Sequence, residues 1–371
     1  MVSLKKTNDT LMREVIQRIA TGPALSKDLS AEQAEQAMQQ VLRQQADPIH
    51  AAIFFIALRM KRETDDENIG VLRAIRQATR HCVAAVDEVV DLFDPYNGYI
   101  RCLPMSPFIP CVLAACGLPC YSHGIERVGP KYGVTHEEVM AAAGINVALP
   151  VDEAAMNLAS PDIAWAYVSQ SQFCPQLSDL SDLRHKIVKR SILTTVEGFA
   201  GALTGRKQTH LVTGYVHKAY PPIYLELART VGYSSALVIR GVEGGVVPSL
   251  RQNAKVHRLV DESITDLVLE PANFSIEQSQ RAVALPAEFA GIDGVSLNTR
   301  QRKALAQTVL ESGLAVLSGE PSMARDALVY GAALILWHCG RAASHMEAAE
   351  QVAQAIDNGI AANHFKALQQ A

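Results

Sequence analysis

Residues 94–124 read DPYNGYIRCLPMSPFIPCVLAACGLPCYSHG and directly follow the apolar run Val89–Phe93. That run is short and rich in β-branched and apolar residues, which is typical of a buried strand. The glycine-containing turn Asp94–Gly98 comes next, followed by a helical segment that ends near Gly117 and a second apolar run that ends in His123-Gly124. The stretch therefore predicts strand, turn, helix and strand, the repeating unit of a parallel α/β sheet.

The same alternation continues toward the carboxyl terminus. Besides Val89–Phe93, the sequence predicts strands at Pro119–Ser122, His210–Val216, Ala236–Arg240 and Ala315–Ser318. A long insert, roughly residues 163–205, has helical character and no strand signal. The last predicted helices, Ala324–Cys339 and Met346–Asn363, should cover the sheet.

Residues 1–80 contain helix signals only. Ser30 and Thr64 are suitable N-caps, and acidic or amide side chains follow each of them in the first turn. Pro48 opens a strongly apolar helix between them. We expect a small all-α domain over residues 1–80, joined by part of residues 163–205, and a large α/β domain over residues 85–371 with a mostly parallel central sheet.

Composition excludes several classes of protein. The 371 residues are 49% hydrophobic and 19% charged with a net charge of −4, so no global basic field indicates nucleic acid or an anionic membrane. The first residues lack the apolar segment of a signal peptide, and no apolar run is long enough to span a bilayer. We expect a cytoplasmic protein. The seven cysteines show no Cys-x-x-Cys spacing, which favours reduced thiols.

Three stretches, residues 29–78, 94–147 and 322–368, together resemble the anthranilate phosphoribosyltransferase family, also called glycosyltransferase family 3. The resemblance implies a type III nucleoside phosphorylase/phosphoribosyltransferase fold, commonly a homodimer through the α domain. It also implies pentosyl transfer from phosphoribosyl pyrophosphate (PRPP) with Mg²⁺. Residues 172–177 and 240–244 are similar to a branch of TrpD-like (YbiB-type) paralogues, which have a degenerate PRPP site and are associated with nucleic-acid binding.

The resemblance places the sugar-phosphate donor beside the first strand, where the family has a glycine-rich turn that lets backbone N–H groups approach a pyrophosphate. Here the turn is Asp94-Pro95-Tyr96-Asn97-Gly98, with one glycine, one proline without an N–H and one added carboxylate. Asp94, Asn97, Gly98 and Ser106 remain donor-pocket candidates. For Ser106 the alternative is a simple helix N-cap.

The family's next motif, Lys-His-Gly-Asn-Arg, is Ser122-His123-Gly124-Ile125-Glu126 in this chain. His123 and Gly124 match it. Arg127 and Lys131 are candidates for the displaced positive charge. His123 in such a turn is as well explained by a structural hydrogen bond as by ligand contact.

Metal binding depends in the family on two adjacent acids, and Val246 and Val247 occupy those positions here. Valine offers no ligand atom for Mg²⁺, and Glu243 is only a weak candidate to replace the acids. We therefore expect no metal site here, and Mg²⁺ only if PRPP is used.

Basic residues supply two further hypotheses. Arg184 matches the family's arginine that faces the acceptor carboxylate, and Arg190 matches a basic position shortly after it; the alternative is a solvated basic helix face. A basic groove is also possible, with these candidates: Lys186, Lys189, Arg206, Lys207 and Lys218.

These residues lead to three hypotheses for the function. The first hypothesis is a pentosyltransferase of this family whose standard activity is weak or absent, because phosphoryl chemistry depends on positioning and charge neutralisation. The alternative is a non-catalytic paralogue that binds nucleic acid or a nucleotide-like, phosphate-containing ligand. A structural or regulatory paralogue with a small-molecule pocket between its domains is the third.

Overall fold

The computed structural model describes residues 2–22, 24–289 and 296–371. Four helices begin the chain: α1 (Val2–Ile19), α2 (Ala31–Leu42), α3 (Pro48–Lys61) and α4 (Asp65–Ala78). Ser30 and Thr64 each close a capping box with the side chain three residues later, so both predicted N-caps are present. Helices α2 and α4 pack on each other, and α1 packs on both α2 and α3.

A mostly parallel sheet forms the centre of the second part of the chain. Its strands are β2 (Glu88–Phe93), β3 (Cys120–Gly124), β4 (Trp165–Ser169), β6 (Gln208–Gly214), β7 (Ser235–Ile239), β8 (Ala254–Val260) and β9 (Ser263–Leu269), in the order β4-β3-β2-β6-β7-β8-β9. The first five strands of that order are parallel, and the β8–β9 hairpin adds two antiparallel strands at one edge. Two short strands, β1 (Cys82–Val83) and β5 (Leu203–Thr204), pair separately.

Helices cover both faces of this sheet. They are α5 (Ile109–Ala115), α6 (His136–Ala142), α7 (Val151–Ala159), α8 (Gln170–Phe173), α9 (Pro175–Ser178), α10 (Ser181–Ile187), α11 (Leu193–Val196), α12 (Tyr220–Val231), α13 (Thr299–Leu317), α14 (Met323–His338), α15 (His345–Asp357) and α16 (Ile360–Gln369). Helix α10 contacts α3, and α11 contacts α4, so the insert packs against the helical bundle.

Three element predictions are wrong. Ala315–Ser318 is the last turn of α13 and its cap rather than a strand, because its apolar residues continue a helical stripe. The insert contains strand β4 and short β5. The predicted helix Met346–Asn363 is two helices, because Gly359 adopts a left-handed φ of 75° between them.

Two apolar cores lie on opposite faces of the sheet. One is built by α5, α13, α14 and the sheet side chains that include Val90, Leu92 and Val212. The other joins the opposite sheet face, including Val89 and Leu211, to the helical bundle. The α/β fold class with a small all-α part is confirmed. Among the described residues, every helix is too short or too polar to cross a membrane.

Candidate functional site

A cleft lies at the carboxyl ends of the parallel strands, where α/β sheets commonly bind ligands. Phe93 and Gly214 end β2 and β6, and the segments that follow these strands form one wall. Arg59 of α3 and residues around Arg184 form the opposite wall. Of the predicted site residues, the cleft is lined by Asp94, Asn97, Arg184, Arg190 and Glu243. The cleft therefore lies between the helical bundle and the sheet.

Asp94 is buried at the base of this cleft and is only 4% exposed. Its carboxylate accepts hydrogen bonds from Tyr99 Oη at 2.8 Å, from His136 Nε2 at 2.8 Å and from the Ser106 hydroxyl. The backbone N–H of Val246 donates to its other oxygen at 2.9 Å. Burial raises the pKa of the Asp94 carboxyl, but His136 and the two hydroxyl donors outweigh burial and hold this pKa below its ordinary value.

Ser106 is fully buried and begins a short 3₁₀ turn. The N-cap alternative is wrong, because no side-chain cap is present there and the hydroxyl donates to Asp94 instead. His136 Nε2 also lies 3.1 Å from this hydroxyl. Ser106 is thus one of the donors that an internal carboxylate uses.

Gly98 closes the turn after β2 by donating its N–H to Pro95 O at 2.8 Å. Its φ is +69°, and a Cβ at this position would overlap the backbone of Gly133 and Val134. Tyr99 pairs with Val134 directly beside it. Glycine is required here because two loops pack backbone to backbone.

Glu243 lies in the turn after β7 with a left-handed φ of 54°. Its carboxylate accepts from the N–H groups of Ile100 at 3.3 Å and Arg101 at 2.8 Å, and it pairs with Lys131 Nζ at 2.6 Å. Burial lowers the pKa of Lys131, and Glu243 opposes this effect. Lys131 is therefore already neutralised by a carboxylate of the same chain.

Magnesium fits this arrangement poorly. Val246 is completely buried, and Val247 is packed against Gly331 of α14. Hard cations need several oxygen ligands that are free to coordinate. The carboxylates of Asp94 and Glu243 are each held by donors of this chain. The described residues of the cleft do not form an Mg²⁺ site.

His123 lies behind the cleft wall and is only 3% exposed. Its Nε2 lies 2.8 Å from Asp91 Oδ1, and its Nδ1 contacts the hydroxyl of Tyr96, which does line the cleft. Gly124 is buried beside Tyr167. The His123 ring has its two nitrogens engaged in a buried network, which agrees with the structural alternative raised for this residue.

Arg184 makes a bidentate ion pair with Glu197, with N–O distances of 2.6 and 2.7 Å. The two side chains are 5% and 4% exposed, and Gln170 Nε2 donates to the same carboxylate at 3.2 Å. Arg190 differs, because it is exposed at the rim of the cleft. Arg190 is thus an exposed arginine of the cleft, while the buried Arg184 is paired with a carboxylate of the same chain.

The predicted basic groove is not one surface. Arg206 and Lys207 precede β6, whereas Lys218 follows it, and a seven-residue strand spans about 20 Å. Lys207 pairs with Asp87 at 2.7 Å, and Lys186 pairs with Asp182 at 2.6 Å.

Lys189 and Arg127 are exposed, Lys189 next to Arg190 in the chain. Of the basic-groove candidates, Lys189 and Lys218 are chain neighbours of the cleft-lining residues Arg190 and His217, whereas Arg206 and Lys207 lie at the other end of β6.

Sequence reasoning missed Glu197, His136 and Tyr96. Glu197 lies 13 residues after Arg184 in a helical insert, a spacing that carries no signal of pairing. His136 follows the capping residue Thr135, which explains its position on a helix but not its contact with Asp94. Tyr96 was inside the quoted turn, yet only the fold brings its hydroxyl to His123.

Comparison with known proteins gives consistent matches over both parts of the chain. The helical bundle domain of the glycosyl transferase family matches residues 13–79, and the a/b domain of that family matches residues 103–362. An anthranilate phosphoribosyltransferase of Novosphingobium aromaticivorans is 27% identical over 310 residues, which are 84% of this chain and 86% of that protein.

An uncharacterized protein of Aquifex aeolicus is 28% identical over 222 residues, 60% of this chain and 65% of that protein. Among solved structures, the anthranilate phosphoribosyltransferase of Saccharomyces cerevisiae in complex with PRPP and Mg superposes with a TM-score of 0.72. That match has 14% identity and covers 98% of this chain and 99% of the yeast chain. At this identity the match establishes the fold alone.

Proposed function

Since the chain belongs to the glycosyl transferase family in both its helical bundle and its a/b domain, we propose that it descends from PRPP-dependent pentosyltransferases and retains little or no anthranilate phosphoribosyl transfer. One observation carries the proposal. Carboxylates of the chain itself, those of Asp94, Glu197 and Glu243, engage donors and cations at positions to which the resemblance assigns substrate anions.

On the donor side, Asp94 uses the Ser106 hydroxyl and the Val246 N–H. A pyrophosphate in the same turn would place negative charge beside this carboxylate. Two like charges 4 Å apart repel by about 4 kcal/mol at an effective dielectric constant of 20. The turn at residues 94–98 has no cationic side chain and no pair of acids that would bind a neutralising Mg²⁺. This repulsion is therefore not offset within the turn.

On the acceptor side, Glu197 already fills the fork of Arg184. An aromatic acceptor would have to displace Glu197 before its own carboxylate could pair with the arginine. Displacement would leave a buried carboxylate unpaired, which is costly. The acceptor role that the resemblance implies for Arg184 is therefore weakened in this chain.

The rim of the cleft retains features suited to a small phosphate-containing ligand. Arg190 is exposed there, Arg59 approaches from α3, and Thr194 supplies a hydroxyl. Tyr220 and Tyr224 add aromatic surface, with ring centroids 5.5 Å apart. We propose that the cleft binds such a ligand without transferring a pentosyl group.

Calorimetric titration of PRPP with Mg²⁺ into the purified protein tests the first part, together with a fluorescence assay of anthranilate consumption. We expect neither Mg²⁺-dependent PRPP binding nor turnover. The control is Glu197→Gln, which keeps the shape of the side chain but removes the negative charge that pairs with Arg184. Micromolar, Mg²⁺-dependent PRPP binding by the unaltered chain would overturn the proposal.

Nucleic-acid binding remains the alternative, with a narrower basis than the sequence suggested. Arg190 lines the cleft, and Lys189 and Lys218 are exposed next to the lining residues Arg190 and His217, so a nucleic-acid backbone at the cleft would contact these and not the distant pair Arg206 and Lys207. Phosphate contacts make such binding strongly salt-dependent. Replacing the first three residues with glutamine should then abolish oligonucleotide binding, while the same change at Arg206 and Lys207 is the matched control. Equal effects of the two sets would exclude the rim as the binding surface.

A homodimer through the helical bundle is also proposed. Helix α3 exposes Ile49, Ile53 and Met60, of which Met60 is 77% exposed. Burying these side chains against a second copy would remove apolar surface from water. Light scattering on the unaltered chain and on Met60→Glu tests this arrangement, and a monomeric unaltered chain contradicts it.

A further inference from the structure

A second polar cluster lies near the amino-terminal ends of the central strands, whereas the cleft lies at their carboxyl ends. Glu88 is the first residue of β2, His210 is the third residue of β6, and Cys339 directly follows α14. One oxygen, one nitrogen and one sulfur atom of these side chains all lie within 4.8 Å of one another. Among the described residues, this is the group of metal-ligating side chains that converges in this way.

The imidazole of His210 is oriented toward this cluster. Its Nδ1 lies 2.7 Å from Ser235 Oγ, and the same hydroxyl lies 2.8 Å from His338 Nε2. His210 is 6% exposed, and its Nε2 lies 2.9 Å from Glu88 Oε1 without a hydrogen bond of acceptable geometry. A metal-bound histidine is typically held in this manner, with one nitrogen fixed by a hydrogen bond and the other directed at the ion.

The surroundings favour a cation over a neutral group. The cluster lies at the carboxyl end of α14, where the helix dipole favours positive charge. Arg341 already uses this preference, since its guanidinium contacts Glu88. Arg341 is 41% exposed and can move into water. Arg258 stacks over the Trp337 ring at 4.2 Å and donates to the ring and the carbonyl of His338, so it is already engaged beside the cluster.

We propose that Glu88, His210 and Cys339 bind a divalent transition-metal ion, with Zn²⁺ as the best match. A thiolate, an imidazole and a carboxylate together are ligands that zinc accepts in tetrahedral geometry, with the fourth position left for water. Binding releases the proton of the Cys339 thiol to solvent as the sulfur–metal bond forms, and Arg341 leaves the Glu88 carboxylate. The ion would fasten the end of α14 to β2 and β6. This site is independent of the cleft and of its proposed function.

Cobalt titration of the reduced full chain tests the site. Co²⁺ bound to a thiolate gives a charge-transfer band in the near ultraviolet. When its geometry is tetrahedral, it also gives intense d–d absorption bands in the visible region. We expect one equivalent of Co²⁺ to produce both, and one equivalent of Zn²⁺ to remove them. The result is read from the unaltered protein, so it does not depend on whether a variant folds.

Variants then assign the ligands. Cys339→Ser should remove the charge-transfer band, while Cys116→Ser, at another partly exposed free cysteine, should leave it unchanged. Ser235→Ala, which releases His210, should weaken binding by about tenfold or more. Absence of a thiolate band in the unaltered chain, or an unchanged band in Cys339→Ser, would overturn the proposal and leave an Arg341–Glu88–His210 ion-pair cluster.

Discussion

Removing the Glu197 side chain should reveal how far the chain uses its own carboxylates in place of ligands. In the Glu197→Ala variant, Arg184 keeps its buried position but loses two short charge-assisted hydrogen bonds. Gln170 Nε2 loses its acceptor in the same variant. Breaking a buried ion pair by deleting one partner costs about 3–5 kcal/mol, since the remaining charge is unpaired.

The same substitution opens a vacant anion position opposite Arg184. A small aromatic carboxylate such as benzoate should enter it and restore stability. At a concentration 100 times its dissociation constant, a ligand that binds only the folded state adds about 2.7 kcal/mol. Benzoate should therefore recover a large part of the loss in Glu197→Ala and have little effect on the unaltered chain.

Urea unfolding followed by tryptophan fluorescence and by far-ultraviolet circular dichroism measures both effects. A double variant, Arg184→Met with Glu197→Leu, serves as the control, because replacing a whole buried pair with apolar residues is often neutral. A loss below about 1 kcal/mol in Glu197→Ala, or equal benzoate stabilisation of both proteins, would refute the account of this pair.

Further predictions concern the turns and the buried acids. Gly98→Ala should cost more than about 2 kcal/mol in unfolding free energy, whereas Gly117→Ala, with a similar positive φ but open space, should cost only about 1 kcal/mol. Burial raises the pKa of Glu137 from 4.5 to about 7, so the folded chain loses stability as the pH rises through this range. Glu137→Gln should remove this loss, gaining up to about 3 kcal/mol over the unaltered chain between pH 5 and pH 8 in urea titrations; a pH-independent difference would contradict this. The pKa of Asp94 is lowered, so its stabilisation is complete above its ordinary value of 3.8 and is lost as the pH falls through the folded-state pKa. The difference in unfolding free energy between the unaltered chain and Asp94→Asn should accordingly shrink when urea titrations are carried out below about pH 4. A difference that stays constant would argue against the buried pair of Asp94 and His136.

The sequence predicts the central strands well because each is a short apolar run bounded by turn residues. It fails at Ala315–Ser318, where an apolar run of strand-like composition belongs to helix α13, which begins at Thr299 and whose buried apolar stripe includes Leu305 and Val309. It also fails at β4, since Trp165–Ser169 is surrounded by helical segments and its partner strand β3 pairs with it across 45 positions, as in Cys120 with Trp165. The local sequence pattern identifies helices and strands, but it carries no information on which strands pair across long separations in the chain.

The same distinction applies to the candidate site, where single substitutions can be read from the sequence but contacts between distant residues cannot. The absent glycines and the valines at 246 and 247 are visible in the sequence, because they are substitutions at expected positions. The partners of the buried carboxylates are not visible in it. Asp94 meets Val246 across 152 positions, and Lys131 meets Glu243 across more than 100. Such contacts exist only once the strand order has been set.

The proposed loss of pentosyl transfer would be hard to reverse, because the Val246 N–H already donates to Asp94. An aspartate introduced at position 246 would add a second carboxylate next to a buried one, with no metal yet able to bind and neutralise them. That first step would be destabilising by itself. On this proposal, Asp94 would have to be replaced by a small neutral residue before acids are introduced at positions 246 and 247. The substitutions would therefore have to occur in that order, and the early variants would have no transferase activity on which selection could act.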